Sequence, residues 1–130
     1  MDMDIVLGRD DRVDARFRGR TVVTDQDGAA PAPMDLFLAS IGTCAGLYIS
    51  RFCRGRGIAT EGLRLHQHAS RNPDTGLIER IELELTLPAD FPEKYRAAVL
   101  RAAELCTVKK HLAAPPGITV TTVRPLAETG

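Results

Sequence analysis

Polar and apolar positions along the chain fall into blocks of different period. Val13, Ala15 and Phe17 alternate with Asp14, Arg16 and Arg18. Successive side chains of a strand point to opposite faces, so this alternation predicts a half-buried strand. Ile5-Val6-Leu7 and Thr21-Val22-Val23-Thr24 read as strands on either side of it, and the three predict a small antiparallel sheet. Gln26 to Pro33, with Asp27, Gly28 and Pro31, reads as a loop. A helix is predicted from Pro33 to Arg56. Proline is tolerated in its first turn, where a missing N–H does no harm. Asp35 suits the positive end of the helix dipole, and Gly55 and Gly57 end the helix. From Leu36 to Ile49 it carries no charge and is apolar nearly all round, the pattern of a helix buried on most sides. That run falls short of the roughly 20 apolar residues that span a bilayer. Ser40, Gly42, Thr43 and Gly46 let other backbones approach. The expectation is a central helix wrapped by sheet and by a second chain.

Leu63 to Ser70 alternates again, with Arg64, His66 and His68 on one face. Asn72-Pro73-Asp74-Thr75-Gly76 is a turn, and Leu77 to Leu87 places Ile81, Leu83, Leu85 and Leu87 on one face, completing a β-hairpin. Phe91-Pro92-Glu93 starts a second helix, in which Tyr95, Ala98, Val99, Ala102 and Leu105 recur at helical spacing. Val108 to Leu112 reads as a further short helical turn, ended by Pro115-Pro116-Gly117. Ile118 to Val123 is expected to be a last strand, with a frayed tail beyond it. Sheet, long helix, hairpin, helix and strand in this order predict an α+β fold with helices against antiparallel sheet. The length of 130 residues fits a single domain over residues 1–130.

Seventeen basic and seventeen acidic residues cancel, so no overall field favours nucleic acid or an anionic membrane. No N-terminal segment pairs a basic head with an apolar run, and a cytoplasmic location is expected by default. Three cysteines do not make a disulfide scaffold in a chain of this size. Cys44 lies in the middle of the long helix and Cys106 at the end of the second. Free cysteine packs as a small hydrophobe, so by composition alone core filling and redox chemistry both stay open. Cys53 follows Cys44 by nine residues (53 − 44). At about 100° per residue it faces the opposite side of the helix, so a redox pair would have to be Cys44 with Cys106. Lys109, Lys110 and His111 follow Cys106, and cations lower a thiol pKa; the lysines read equally as solvated surface. His66 and His68 share a strand face, but with three histidines in all and no convergent ligand, no metal site is expected. Glu82 and Glu84 read as a solvated strand face. No phosphate-binding glycine loop, nucleophile elbow or zinc-type CxxC is present.

The stretch Pro33-Met34-Asp35-Leu36-Phe37-Leu38-Ala39-Ser40-Ile41-Gly42-Thr43-Cys44 resembles the central-helix motif of the OsmC-like family, which includes osmotically inducible and organic hydroperoxide resistance proteins. Ala103-Glu104-Leu105-Cys106-Thr107-Val108-Lys109-Lys110 resembles its second motif, a Cys followed usually by Pro-Val. The 62-residue separation of the cysteines (106 − 44) also fits. The resemblance implies an OsmC-like α+β domain forming an intertwined homodimer around the long helices, and a thiol-dependent peroxidase acting on organic hydroperoxides. Cys44 would be the peroxidatic cysteine and Cys106 the resolving one, with a lipoyl-type dithiol as reductant, no metal and no organic cofactor. Peroxidase members carry a Glu shortly after the Pro of the helix motif, orienting an Arg that activates the thiolate. Met34 takes that position here, followed by Asp35, as in a less characterised branch. Arg12, Arg16, Arg18 and Arg20 are candidates for the Arg, and Thr107 replaces the usual Pro. Two alternatives use the same scaffold: a module binding a small apolar or acyl ligand beside Cys44, and another thiol enzyme such as a hydrolase, for which His111 is the histidine nearest a motif cysteine.

Overall fold

The computed structural model describes residues 1–125. Three strands, β1 (Asp4–Leu7), β2 (Arg12–Phe17) and β3 (Arg20–Asp25), form an antiparallel sheet in chain order. Asp14 is paired with Val6 in one direction and Val23 in the other. The β2–β3 turn places Arg18 at φ 49° and Gly19 at φ 71°, the left-handed pair that matches the twist of a tight hairpin. Thr24 Oγ1 donates to the Val13 carbonyl at 2.6 Å, and Arg12 grips the Asp14 carboxylate through Nε and Nη2 at 3.2 and 3.1 Å. These bonds satisfy the two buried polar residues of this sheet, Asp14 and Thr24.

The long helix α1 runs Pro33–Arg54. Its start is capped from inside: the Ala32 N–H donates to Asp35 Oδ2 at 2.9 Å, which satisfies a donor that has no partner within the helix. The chain leaves at Gly55 and turns through Gly57 in a left-handed conformation, φ 66°. Strands β4 (Arg64–Arg71) and β5 (Ile78–Thr86) form a second antiparallel sheet. Their turn is held by Asn72, whose side-chain oxygen accepts the Asp74 and Thr75 N–H groups, and by Gly76 at φ 74°. A short 3₁₀ turn (Glu93–Tyr95) leads into α2 (Arg96–Glu104), and α3 covers Thr107–Ala113. The elements predicted from Ile5 to Leu112 are thus all present, in an α+β arrangement, with a 3₁₀ turn where the second helix was expected to start.

The core lies between α1, the β4–β5 hairpin and α2. Ile49, Cys53, Phe91 and Val99 form its buried centre, with Phe52, Leu65, Leu85 and Tyr95 packed around it. The hairpin approaches α1 closely at Gly42. A Cβ there would lie 2.5 Å from Gln67 Oε1, while Gln67 Nε2 donates to the Leu38 carbonyl at 2.9 Å. The hairpin is thereby anchored across the helix backbone.

One expectation is corrected. Ile118–Val123 is not a strand: the segment is without secondary structure, and Ile118, Val120 and Val123 are 85, 92 and 89% exposed. A strand exists only through hydrogen bonds to a neighbour, and among the described residues none is paired to it. The expected frayed tail falls partly on residues 126–130, outside the described residues. Within the single chain, α1 is buried along one stripe. Ile41, Ala45, Ile49 and Cys53 are its buried residues, a single stripe at intervals of four, while Phe37 and Leu47 are 37 and 42% exposed. The single chain covers one face of an all-apolar helix. The full helix has 22 residues, more than its uncharged run, and by length and composition alone it could cross a bilayer.

Candidate functional site

Two faces of α1 can be told apart by spacing. The stripe from Ile41 to Cys53 faces the core. Cys44, Tyr48 and Arg51 follow one another at intervals of four and three, and so share a second face. That face looks toward the start of α3. Cys44 is half-buried; Cys106, the residue that precedes α3, is 2% exposed.

The two thiols have opposite electrostatic surroundings. The Cys44 pKa is lowered, chiefly by the Val108 N–H, then by hydrogen bonding from the Cys106 thiol and the Thr107 N–H, and last by the positive charge of Arg51; partial burial works against these. Amide N–H groups and a nearby cation favour thiolate over thiol. The Cys106 pKa is raised, first by burial and also by its neighbour Cys44, against the pull of the Lys109 and Val108 amides. Burial likewise raises Cys53. The pair is therefore asymmetric: its surroundings favour the thiolate at Cys44 and the thiol at Cys106. The Cys106 Sγ also lies 4.0 Å from the Ile41 carbonyl, which ties α3 to α1 just before Cys44. Both thiols are free in this structure.

The charges after Cys106 do not act as expected. Lys109 and Lys110 are exposed, and Lys109 affects Cys106 through its backbone N–H. His111 turns back on its own helix, its Nδ1 donating to the Thr107 carbonyl at 2.7 Å. It makes no contribution at either motif cysteine. The cation acting on Cys44 is Arg51, from α1 itself. Of the N-terminal arginines, Arg12 is held by Asp14, which raises its own pKa; Arg16, Arg18 and Arg20 are exposed, and none of the four acts on Cys44. Asp35 serves as the cap of α1. His66 stands opposite Glu84 and His68 opposite Glu82 across the β4–β5 ladder. No three potential ligands converge on a metal position among the described residues.

Sequence reading missed Tyr48 and Arg51. Their spacing from Cys44 along one helix was the available signal for both. The partner of Tyr48 was not available: its hydroxyl lies 2.7 Å from Thr107 Oγ1, 59 residues away.

Beside Cys106 an open groove of about 360 Å³ runs between α1, β5, α2 and α3, with Ile41, Ile81, Leu83, Leu100 and Leu112 on its walls and Glu104 and Lys109 at its edge. It reaches the site from the Cys106 side.

A long helix crossing a β-hairpin, with one thiol on the helix and a second at the start of a short helix beside it, defines an α+β thiol protein. The sequence matches the OsmC-like protein family over residues 25–121, and the chain belongs to that family. No curated protein matches it. Among solved structures, the fold is similar to that of a Psychrobacter arcticus 273-4 protein named for the osmotic stress and detoxification response, with TM-score 0.71, 20% identity, and 83% of this chain and 85% of that chain covered. An OsmC-like protein from Mycoplasma pneumoniae gives TM-score 0.70 at 15% identity, covering 88 and 87%. An organic hydroperoxide resistance protein OsmC from Legionella pneumophila gives TM-score 0.53 at 19% identity, covering 85 and 87%.

The asymmetry of the thiols has a direct consequence. At neutral pH, iodoacetamide should label Cys44 at least about tenfold faster than Cys106 or Cys53, because the thiolate is the reacting form. A lowered pKa keeps that reactivity as pH falls below the ordinary thiol range and loses it on passing the pKa of Cys44. Cys106, raised, should gain reactivity only above the ordinary range. Peptide mapping after labelling across a pH series reads both profiles.

Proposed function

We propose that this protein is a thiol-dependent peroxidase acting on organic hydroperoxides, with Cys44 peroxidatic and Cys106 resolving. The observation that carries the reading is the Cys44 thiol, its pKa lowered by the first amides of α3 and by Cys106 itself. The Cys44 thiolate attacks the O–O bond of ROOH. Sulfur takes up the terminal oxygen to become a sulfenic acid, and the other oxygen leaves with a proton as ROH. Cys106 then attacks the sulfenic sulfur, forming the Cys44–Cys106 disulfide and releasing water. An external dithiol returns both thiols and is itself oxidised to a disulfide. No metal or organic cofactor enters these steps. The solved structure from Legionella pneumophila that is named an organic hydroperoxide resistance protein supports the substrate class.

The same proposal includes an intertwined homodimer in a reducing, cytoplasmic setting. Support for the dimer is the uncovered apolar surface: Met34, Phe37 and Leu47 on α1, and Ile118, Val120 and Val123 after α3. Large apolar side chains exposed in this number are costly to leave in water.

The test is to add cumene hydroperoxide to the reduced protein at modest excess and follow the intact mass under non-reducing conditions. Loss of two hydrogens, with a single Cys44–Cys106 cross-linked peptide, is expected. Thiols that both survive the treatment would overturn the reading. Light scattering on the same sample, at twice the chain mass, checks the dimer.

One observation favours a second reading. The apolar groove beside Cys106 would suit a small apolar or acyl ligand held without turnover. Ligand retained through purification, together with inertness toward peroxide, would select this reading. The hydrolase alternative lacks support, since His111 is engaged with its own helix and, among the described residues, no imidazole or carboxylate acts on Cys44.

A further inference from the structure

Helix α3 is a weakly anchored element in a demanding position. It has seven residues and none of them is buried, so the hydrophobic packing that places α1 and α2 does little to place α3. Yet its first turn supplies the Thr107 and Val108 amides that face Cys44, and Cys106 directly precedes it. Something other than core packing must hold this turn in register. Among the described residues, two side-chain hydrogen bonds join this segment to α1. One is the long Cys106 Sγ contact to the Ile41 carbonyl, at 4.0 Å. The other is the 2.7 Å bond between the Tyr48 and Thr107 hydroxyls. The first uses the group that the reaction consumes, because Cys106 gives up its thiol hydrogen when it resolves the sulfenic acid. The second takes no part in the proposed chemistry. Tyr48 is one helical turn beyond Cys44, and Thr107 is the residue after Cys106. A rigid aromatic side chain from one cysteine's helix therefore meets the neighbour of the other cysteine.

We infer that Tyr48 and Thr107 form a positioning clamp that fixes the first turn of α3, and with it Cys106, against Cys44. Neither is a catalytic residue: they act through the placement of the α3 amides and of Cys106. The inference deepens the peroxidase reading by naming what sets the thiol pair. Its core, the control of Cys44 ionisation, is measurable without peroxide.

The experiment determines the pH profile of Cys44 alkylation in Tyr48→Phe, Thr107→Val, the double variant and Thr107→Ser. Each conservative removal of a hydroxyl should raise the Cys44 pKa by roughly half a unit, about a threefold loss of thiolate at neutral pH. The double variant should do no more than either single one, as expected of two groups that act through one bond. Thr107→Ser, which keeps the hydroxyl, should restore the wild-type profile. In single-turnover mixing with peroxide, closure of the disulfide should slow about as much as alkylation does. Profiles that stay at the wild-type position in both single variants, or shifts that add in the double variant, overturn the clamp. Circular dichroism separates these outcomes from misfolding. Should Tyr48→Phe fold poorly, Thr107→Ser still tests the clamp: a wild-type fold with a shifted profile would overturn it. A protein whose Cys44 titrates as described but ignores peroxide removes the peroxidase reading and leaves the clamp standing.

Discussion

Cys44→Ser should abolish hydroperoxide turnover, with a fall on the order of a thousandfold or more, since a serine hydroxyl at neutral pH supplies almost no anion to attack the O–O bond. Cys106→Ser should behave differently. Its first turnover should stay within about threefold of wild type, because the serine hydroxyl still reaches toward Cys44 as a hydrogen-bond donor. Repeated turnover through a disulfide should stop, and the Cys44 sulfenic acid should accumulate. Dimedone would trap it, and excess peroxide would carry it on to sulfinic acid. Rapid-mixing kinetics with mass spectrometry distinguish the two variants. Equal loss in both variants, or activity retained in Cys44→Ser, would contradict the assigned roles. Cys53→Ser serves as the control. Cys53 is 0% exposed in the core and on the opposite face of α1, so its replacement should leave the first turnover of the folded protein unchanged.

The largest expected effect on stability comes from Ile49→Ala. Ile49 is 5% exposed and packs with Cys53, Phe91 and Val99 at the centre of the core. Removing its branched side chain leaves a cavity between α1 and α2, and such deletions cost about 3 kcal/mol. For a chain of this size the melting temperature should fall by about 10 °C, measured at matched protein concentration because association would raise it. Ile49 points away from the face that holds Cys44, Tyr48 and Arg51. Cys44 alkylation in the folded variant, read well below its melting point, should therefore stay within about twofold of wild type, as for distant sites that add independently. A change in melting temperature under about 3 °C would show that the centre of the core lies elsewhere.

These two substitutions separate two properties of α1 that a single stretch of sequence encodes. Its outward spacing places Cys44 opposite the start of α3; its inward stripe holds the helix to the hairpin and to α2. The Gly42–Gln67 contact links them, because the hairpin anchors itself to α1 within a turn of Cys44.

Local periodicity sufficed for the three N-terminal strands, for α1 over Pro33–Arg54, and for the β4–β5 hairpin, since each follows from the alternation or helical spacing of neighbouring residues. The two cysteine motifs likewise stood out as short, contiguous patterns. Tertiary structure alone decided the rest. Ile118–Val123 reads as a strand yet pairs with none among the described residues, because pairing is a property of two segments. The helix that reads as apolar all round is covered on one stripe only, because covering depends on how much chain is available to pack against it. Which thiol is acidic depended on the amides of α3, and the tie between Tyr48 and Thr107 spans 59 residues. Hydrogen bonds and electrostatic effects act over a few ångströms, so they could be read only once folding had brought these groups together.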